Sequence, residues 1–535
     1  MNKKLKYIFI LIAIILLAAF FRIYKLDTIP PGLYPDEALN GNEAISSPGK
    51  IFYPENNGRE GLYFSLLSMS FLAFGKSVFS LRLVSAIIGI LTVPGLFLLT
   101  REIFLKMFKD RGKAERIALL ASFFIAVSFW HINFSRIGFR GILVPFVLVY
   151  SFYFFFKAIF KDKIWNFIPA GIFFGLGFYT YIGFRLAVLL LFWSLFCWWL
   201  FCKSKNIKKS FWKPAFYFVA SIFIVSLPIG IYFLKNPSHF VSRASNVSVF
   251  SSNNFLLALG ESFVKHLGMF NIFGDFNWRH NIAGSPVLFW PVGILFLIGF
   301  VICSKYFISA FKKKDYLAIW LSSFILVWFF VMLLPGILTY EGVPHALRSV
   351  GSIPAVFILA ALGFEFVFQK AKSLVKVERN SLSYLVLSLT LILIVSSFIF
   401  AQYFRYFVTW GMNPELNNAF STGYVRIGDF LNSQPEEVKK YVLVNQLGVP
   451  VPYPSGISVS AQTIMFTERT KFEKLRAEYL EPKEIDKIES SPDRDTVIAL
   501  MNYDENLFFE LWKRFPEGQI EAEKGVWVYK IKAKI

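Results

Sequence analysis

Stretches of about 17–25 predominantly apolar residues recur along this chain, each long enough to cross roughly 30 Å of hydrocarbon as a helix. Eleven are read near residues 5–21, 80–100, 117–134, 141–160, 165–182, 186–202, 214–234, 286–304, 316–338, 349–369 and 382–403. Backbone immersed in lipid must satisfy its own N–H and C=O groups, so repeated spans of this length dictate a helical bundle. The side-chain inventory agrees. Of 535 residues 56% are hydrophobic and only 17% charged, with Phe alone occurring 65 times. That excludes a set of soluble domains, a disordered chain and a coiled coil. The expected fold is a polytopic α-helical membrane protein of about 11 transmembrane helices. Outer-face juxtamembrane helices and a small C-terminal α/β extracytoplasmic domain complete it. The first span follows Lys3, Lys4 and Lys6, but no small-residue cleavage site precedes Arg22, so it reads as an anchor and not a removed leader.

A net charge of +21 would ordinarily suggest nucleic acid as a partner. Its distribution argues otherwise. Residues 1–403 hold 39 Lys and Arg against 16 acidic residues, whereas residues 404–535 hold 17 against 19. Of the 39 basic residues, 25 fall in the N-terminal arm and in segments 101–116, 157–163, 203–213, 305–314 and 370–379, which are alternate connections of the bundle. The positive-inside rule then places the N-terminus in the cytoplasm and segments 22–79, 235–285 and the tail outside. The expected location is the cell membrane, with no nucleic-acid partner. The three cysteines, Cys197, Cys202 and Cys303, lie inside apolar stretches and build no disulfide framework.

Two domains are expected, a transmembrane one over 1–403 and an extracytoplasmic one over 404–535. In the latter a helix closes at 428–435, Tyr441–Asn445, Thr496–Met501 and Val526–Ile531 read as strands, and Asn506–Phe515 reads as a helix. Asp493-Arg494-Asp495 has the form of a metal-binding aspartate pair, but the ordinary reading of such a triplet is a solvated loop. Residues 61–75 are apolar yet too short to span, and Ser65, Ser68 and Ser70 suit a helix lying in the outer interface.

The outer segments carry the polar chemistry. Pro35-Asp36-Glu37-Ala38 has the look of a helix start with Asp36 at the cap, and a carboxylate so fixed can also accept a proton from a hydroxyl. Arg59-Glu60 precedes the interfacial helix, Arg136 and Arg140 sit four apart between two spans, and Arg185 follows another. Asp275, Arg279 and His280 share one outer segment; His345 and Arg348 share a second. Each arginine alone suits snorkelling to lipid phosphate. Several on the face that should be poor in cations suggest a bound phosphate. No Walker or dinucleotide motif is present, and the five histidines show no zinc-ligand spacing, so neither cofactor nor metal is expected. Asn246-Val247-Ser248 is a glycosylation-type triplet.

Taken together, Phe21-Arg22-Ile23 with Pro31-Gly32-Leu33-Tyr34-Pro35-Asp36-Glu37-Ala38, and Gly58-Arg59-Glu60-Gly61-Leu62-Tyr63, resemble the C-type glycosyltransferases. That polytopic superfamily includes protein O-mannosyltransferases and the lipid A aminoarabinose transferase. Ser135-Arg136-Ile137-Gly138-Phe139-Arg140, residues 275–281 and Pro344-His345-Ala346-Leu347-Arg348-Ser349 support the likeness, which covers about residues 1–405. The resemblance implies that Asp36 is the base toward the acceptor and that Arg59 meets the lipid phosphate. It departs from the lipid A enzyme, which has Lys-Pro-Pro where this chain has Arg59-Glu60-Gly61. Glu37, Glu60, Arg136, Arg140, Arg185, Asp275, Arg279, His280, His345 and Arg348 are the remaining candidates for binding donor or acceptor.

An outer-face enzyme has no supply of nucleotide sugars, so the implied partner is a polyprenyl-phosphate sugar, with membrane lipids around it. Its phosphate leaves as a stable anion, so one base and nearby cations suffice, without the paired carboxylates of glycosidases. A single displacement inverts the anomeric centre. The acceptor hydroxyl or amine, on protein, lipid or polysaccharide, is not specified. The alternatives are a transporter or flippase of lipid-linked sugars and a structural subunit of an envelope assembly. A transporter favours midplane charges and an internal repeat, and neither is visible.

Overall fold

The structure is a computed structural model that describes residues 3–207, 209–240, 248–252, 254–374, 382–451 and 456–533. The Asn246-Val247 part of the glycosylation-type triplet lies outside them. The chain divides into two compact units. Residues 1–24, 60–63 and 85–410 form the first; residues 25–59, 64–84 and 411–535 form the second.

Among the described residues, nine helices are long and apolar enough to cross a membrane: Leu5–Ile23, Val78–Phe108, Arg140–Phe160, Ile182–Ser204, Phe211–Lys235, Trp290–Lys312, Tyr316–Ile337, Val350–Ser373 and Ile392–Trp410. The other two expected spans are shorter helices. Near 117–134 the helix Arg111–Val127 has 17 residues, because Ser128 adopts an extended ψ of 125° before Phe129–Phe134 resumes. Near 165–182 the apolar helix covers Ile164–Gly177. The short segment at 61–75 is indeed a helix, Leu62–Phe74.

Close packing within the first unit has two sources. Glycines let backbones touch: a Cβ on Gly299 would lie 1.8 Å from the Leu359 carbonyl oxygen, and one on Gly363 would lie 2.0 Å from that of Leu295. Helices Trp290–Lys312 and Ile353–Leu374 therefore meet at a paired small-residue seam. Elsewhere the abundant aromatics interlock. Phe152, Phe155 and Phe156 pack with Phe324, Trp320 and Trp328 at ring separations of 4.8–6.1 Å.

Two arginines are wholly buried in this unit and find backbone acceptors. Arg22 donates to the carbonyls of Ala18, Ile125 and Ala126 at 2.9–3.1 Å and lies 2.6 Å from His131 Nδ1. Residues 125 and 126 end the helix Arg111–Val127, so the cation sits against the negative end of that helix dipole. Arg136 donates to the Phe21 carbonyl at 3.0 Å and lies over the rings of Tyr406 and Phe407.

The second unit contains a five-stranded sheet in the order Glu478–Leu480, Lys439–Leu443, Thr496–Leu500, Val526–Ile531, Gln519–Glu523. The first three strands are parallel and the last two antiparallel. Alternation assigns the faces. Val442, Val497 and Ala499 meet Ile427, Phe430, Leu431 and Ile464 of helices Thr422–Ser433 and Gln462–Lys471. Tyr441, Leu443, Ile498 and Leu500 meet Leu507, Phe508 and Leu511 of helix Glu505–Arg514. The triplet at 493–495 is a turn whose Asp495 carboxylate accepts the Ala533 amide at 2.8 Å.

Residues 25–59 are built into this same unit. Helix Pro35–Ser46 lies on Gln462–Lys471, with Asn42 Nδ2 donating to the Gln462 carbonyl at 3.0 Å and to its Oε1 at 2.9 Å. Thr463 Oγ1 donates to the Leu33 carbonyl at 2.9 Å. Gly41 allows this approach, since a Cβ there would come within 2.5 Å of the Phe466 ring.

Candidate active site

In the second unit the acidic turn differs from its expected form at one position. Tyr34 is the N-cap and Pro35 the first helical residue, which makes Asp36 the second helical residue and not the cap. Proline prefers that first position, having no N–H to leave unpaired and a φ already suited to the helix. Asp36 is half-buried, and its Oδ1 accepts a hydrogen bond from Asn56 Nδ2 at 2.8 Å. It stands in the first turn of the helix.

Glu37, its neighbour, is wholly buried. Arg82 Nε meets its Oε1 at 3.2 Å, and the Tyr34 amide donates to Oε2 at 3.3 Å. The same Arg82 donates to the carbonyls of Pro30 at 2.8 Å and Gly32 at 2.9 Å. One buried guanidinium thus ties the loop before Asp36 to the helix that carries it. Glu37 is committed to this framework.

Arg59, expected to meet lipid phosphate, is only 2% exposed. Its Nη2 lies 2.6 Å from Glu43 Oε2, its Nη1 donates to Asn40 Oδ1 at 3.1 Å, and its guanidinium stacks on Phe64. Burial pushes the Glu43 carboxyl up to about 7, although Arg59 pulls it the other way. The pair holds helix Pro35–Ser46 against the segment that follows it.

In the first unit, Glu60 draws two of the expected arginines together. Its Oε2 lies 3.1 Å from Arg140 Nε and its Oε1 lies 3.6 Å from Arg185 Nη2. Arg140 opens a 3₁₀ turn, Arg140–Ile142, and Arg185 lies within another, Ile182–Leu186. Aromatic faces steer both: Tyr181 lies under Arg140, while Phe233 and Phe240 lie under Arg185. Two guanidiniums on one carboxylate leave a local charge of about +1, suited to an anion. Arg136 is apart from this group, covered by Tyr406 and Phe407.

A second cluster in that unit joins residues 70 positions apart. Asp275 Oδ2 lies 2.9 Å from His280 Nδ1, 3.9 Å from His345 Nδ1, and accepts the Ala346 amide at 2.8 Å. Asp275 Oδ1 takes the Asn277 amide at 2.8 Å, and Asn281 Nδ2 reaches the Asp275 carbonyl at 3.3 Å. His345 is held from behind. Its amide donates to His266 Nε2 at 3.2 Å, while His266 Nδ1 faces the Ser262 carbonyl at 2.8 Å. Burial pushes His266 down to about 4, which keeps it neutral and able to accept. Arg348 directs Nη1 to Thr339 Oγ1 and the Glu341 carbonyl at 2.8–2.9 Å. Arg279 is half-buried, and its carbonyl accepts from Asn133 Nδ2 at 2.7 Å.

The histidines therefore differ from their sequence reading. Asp275, His280 and His345 bring three ligating groups within 4.8 Å of one another, where no zinc spacing was visible. His345 arrives from a distant loop, and spacing rules register only neighbours in sequence. Arg82 and Glu43 also escaped sequence reading. Each is a single charge in an otherwise unremarkable stretch, and its role rests on a partner elsewhere in the chain.

Residues 62–232 match the family model described as dolichyl-phosphate-mannose-protein mannosyltransferase. No curated protein sequence matches the chain significantly. Among solved structures, ArnT from Cupriavidus metallidurans bound to undecaprenyl phosphate aligns with a TM-score of 0.56 at 12% identity, covering 98% of each chain. Its apo form aligns at 0.57 and 11%, covering 99% of this chain and 98% of that one. The archaeal oligosaccharyltransferase AglB from Archaeoglobus fulgidus aligns at 0.47 and 17%; 81% of this chain is covered, and it spans 58% of that enzyme. This chain has an ArnT-like fold over nearly its whole length and matches the mannosyltransferase family model in part, in line with the C-type glycosyltransferase resemblance of its sequence.

Proposed function

We propose that this protein is an inverting glycosyltransferase. It moves a sugar from a polyprenyl-phosphate carrier to an acceptor hydroxyl or amine at the outer face of the membrane. The observation that carries the reading is Asp36: a half-buried carboxylate on a turn fixed by Arg82, Glu37 and Asn56, within an ArnT-like fold. ArnT from C. metallidurans was solved with undecaprenyl phosphate bound, which supports a donor of that lipid class.

In this reading Asp36 accepts the acceptor's proton as its oxygen or nitrogen attacks the anomeric carbon. The carbon–oxygen bond to the phosphate breaks on the opposite side, and the polyprenyl phosphate departs with the bonding pair. Within the first unit, Arg140 and Arg185 offer a local positive charge of the kind a phosphate takes. Glu60 sets the two guanidiniums and limits their excess charge. Arg59 is reassigned from phosphate contact to holding the acidic helix, because its guanidinium is buried on Glu43. The proposed topology keeps the N-terminus cytoplasmic and the second unit outside, as the distribution of Lys and Arg requires.

The test is transfer from undecaprenyl-phosphate sugars in proteoliposomes. Asp36→Asn should abolish transfer while leaving donor binding intact, and the product should carry the inverted anomeric configuration. Full transfer by that variant would remove Asp36 as the base.

A further inference from the structure

We infer that Asp275, His280 and His345 form a divalent-metal site of the zinc type. The three ligand atoms are Asp275 Oδ2 and the two imidazole Nδ1 atoms. Zinc bonds to nitrogen and oxygen of about 2.0–2.1 Å place neighbouring ligands of a tetrahedron roughly 3.3 Å apart. The separations from Oδ2, 2.9 Å and 3.9 Å, bracket that value. The ligand atoms all lie within 4.8 Å of one another, and metal binding requires His345 Nδ1 to turn from the Arg348 amide, 3.4 Å away.

Charge supplies the second argument. Asp275 is 3% exposed, and among the described residues its ion-pair partners are these two histidines, with no lysine or arginine. A buried carboxylate needs a cation beside it. Two imidazoles and one carboxylate are a ligand set that zinc takes with an open fourth position.

The surroundings are already built. Asn277 and Asn281 hold Asp275 from its own loop, Ala346 donates to its Oδ2, and His266 holds the His345 backbone. Such outer contacts orient ligands in metal centres. The fourth position is open to a water or another oxygen ligand. This inference does not rest on the glycosyltransferase reading, since metal retention is measured without substrate.

The experiment uses full-length protein in detergent, stripped with chelator, incubated with Zn²⁺ and gel-filtered before elemental analysis. The wild type should retain about one zinc per chain, and Co²⁺ should give the visible bands of a tetrahedral site. His280→Asn and His345→Asn should each weaken binding at least tenfold. His345→Cys should keep the metal and add a thiolate-to-cobalt band, which a misfolded variant would not show. Wild type retaining no zinc, or no more than a Asp275→Asn, His280→Asn double variant of equal elution volume, overturns the proposal. His280 and His345 ring resonances unchanged on adding Zn²⁺ overturn it as well.

Discussion

Asp36 and Glu37 are adjacent carboxylates on one helical turn, and their surroundings give them opposite duties. Glu37 is closed in by Arg82, whereas Asp36 keeps a half-exposed face. The sequence shows two acids after a proline and nothing that ranks them, because the ranking comes from an arginine 45 residues later. Breaking a buried pair from one side strands a charge, so Arg82→Ala should cost about 3–5 kcal/mol, read as a lowered unfolding temperature in detergent. It should also lower transfer, by releasing the loop at Pro30 and Gly32. Glu43 makes a pH prediction. Its folded value of about 7 lies above the ordinary 4.5, so the folded state holds a proton that the unfolded chain releases first. That stabilisation is complete below about pH 4.5 and is lost as pH rises through about 7. Glu43→Gln should flatten the fall in unfolding temperature between pH 5 and 8; an unchanged slope would discount the burial of its charge.

Helices and strands were legible to different degrees, for reasons that particular elements show. Hydropathy finds the long apolar helices because length and composition suffice. It overran near 117–134, since Ser128 breaks the backbone without interrupting the apolar run. In the sheet, Val526–Ile531 lies where its pattern predicts, although its burial does not alternate throughout, because Val526 and Val528 pack on one face and Tyr529 and Ile531 on the other. The edge strand Gln519–Glu523 is mostly exposed and rich in acids, so it carries no hydrophobic signature. Helix seams are likewise silent in a hydropathy plot. The backbone contact at Gly299 and Gly363 depends on which faces meet. Gly363→Val should force the two helices apart, at an overpacking cost of at least about 1–3 kcal/mol. Thermal unfolding of the purified variant, beside a Gly230→Ala control where open space surrounds the Cβ, checks this.

At the scale of the molecule, the tail looked like an appended domain, yet residues 25–59 and 64–84 belong to the same compact unit as residues 411–535. Deleting the tail should therefore abolish transfer instead of sparing it, because Leu33, Asn42 and Gly41 lose Thr463, Gln462 and Phe466. Co-expressing the tail as a separate secreted chain should not restore full activity, and in-gel protease sensitivity of residues 25–59 should rise in the truncated protein. The charge division along the chain lies close to residue 411, where the second unit resumes; it held no information about which early segment that unit includes.

The bonds from Asn42 to Gln462 and from Thr463 to Leu33 join positions 420 and 430 residues apart. A ribosome makes the helix Pro35–Ser46 early and the helix Gln462–Lys471 late, at about 5–20 residues per second. For some tens of seconds the acidic turn has been translated while its supporting helix has not. During that interval Leu33 and Asn42 lack their partners, so if Asp36 has its proposed role, activity waits for the translation of Gln462–Lys471. An incomplete chain released from the ribosome would carry the acidic turn without the helix that supports it.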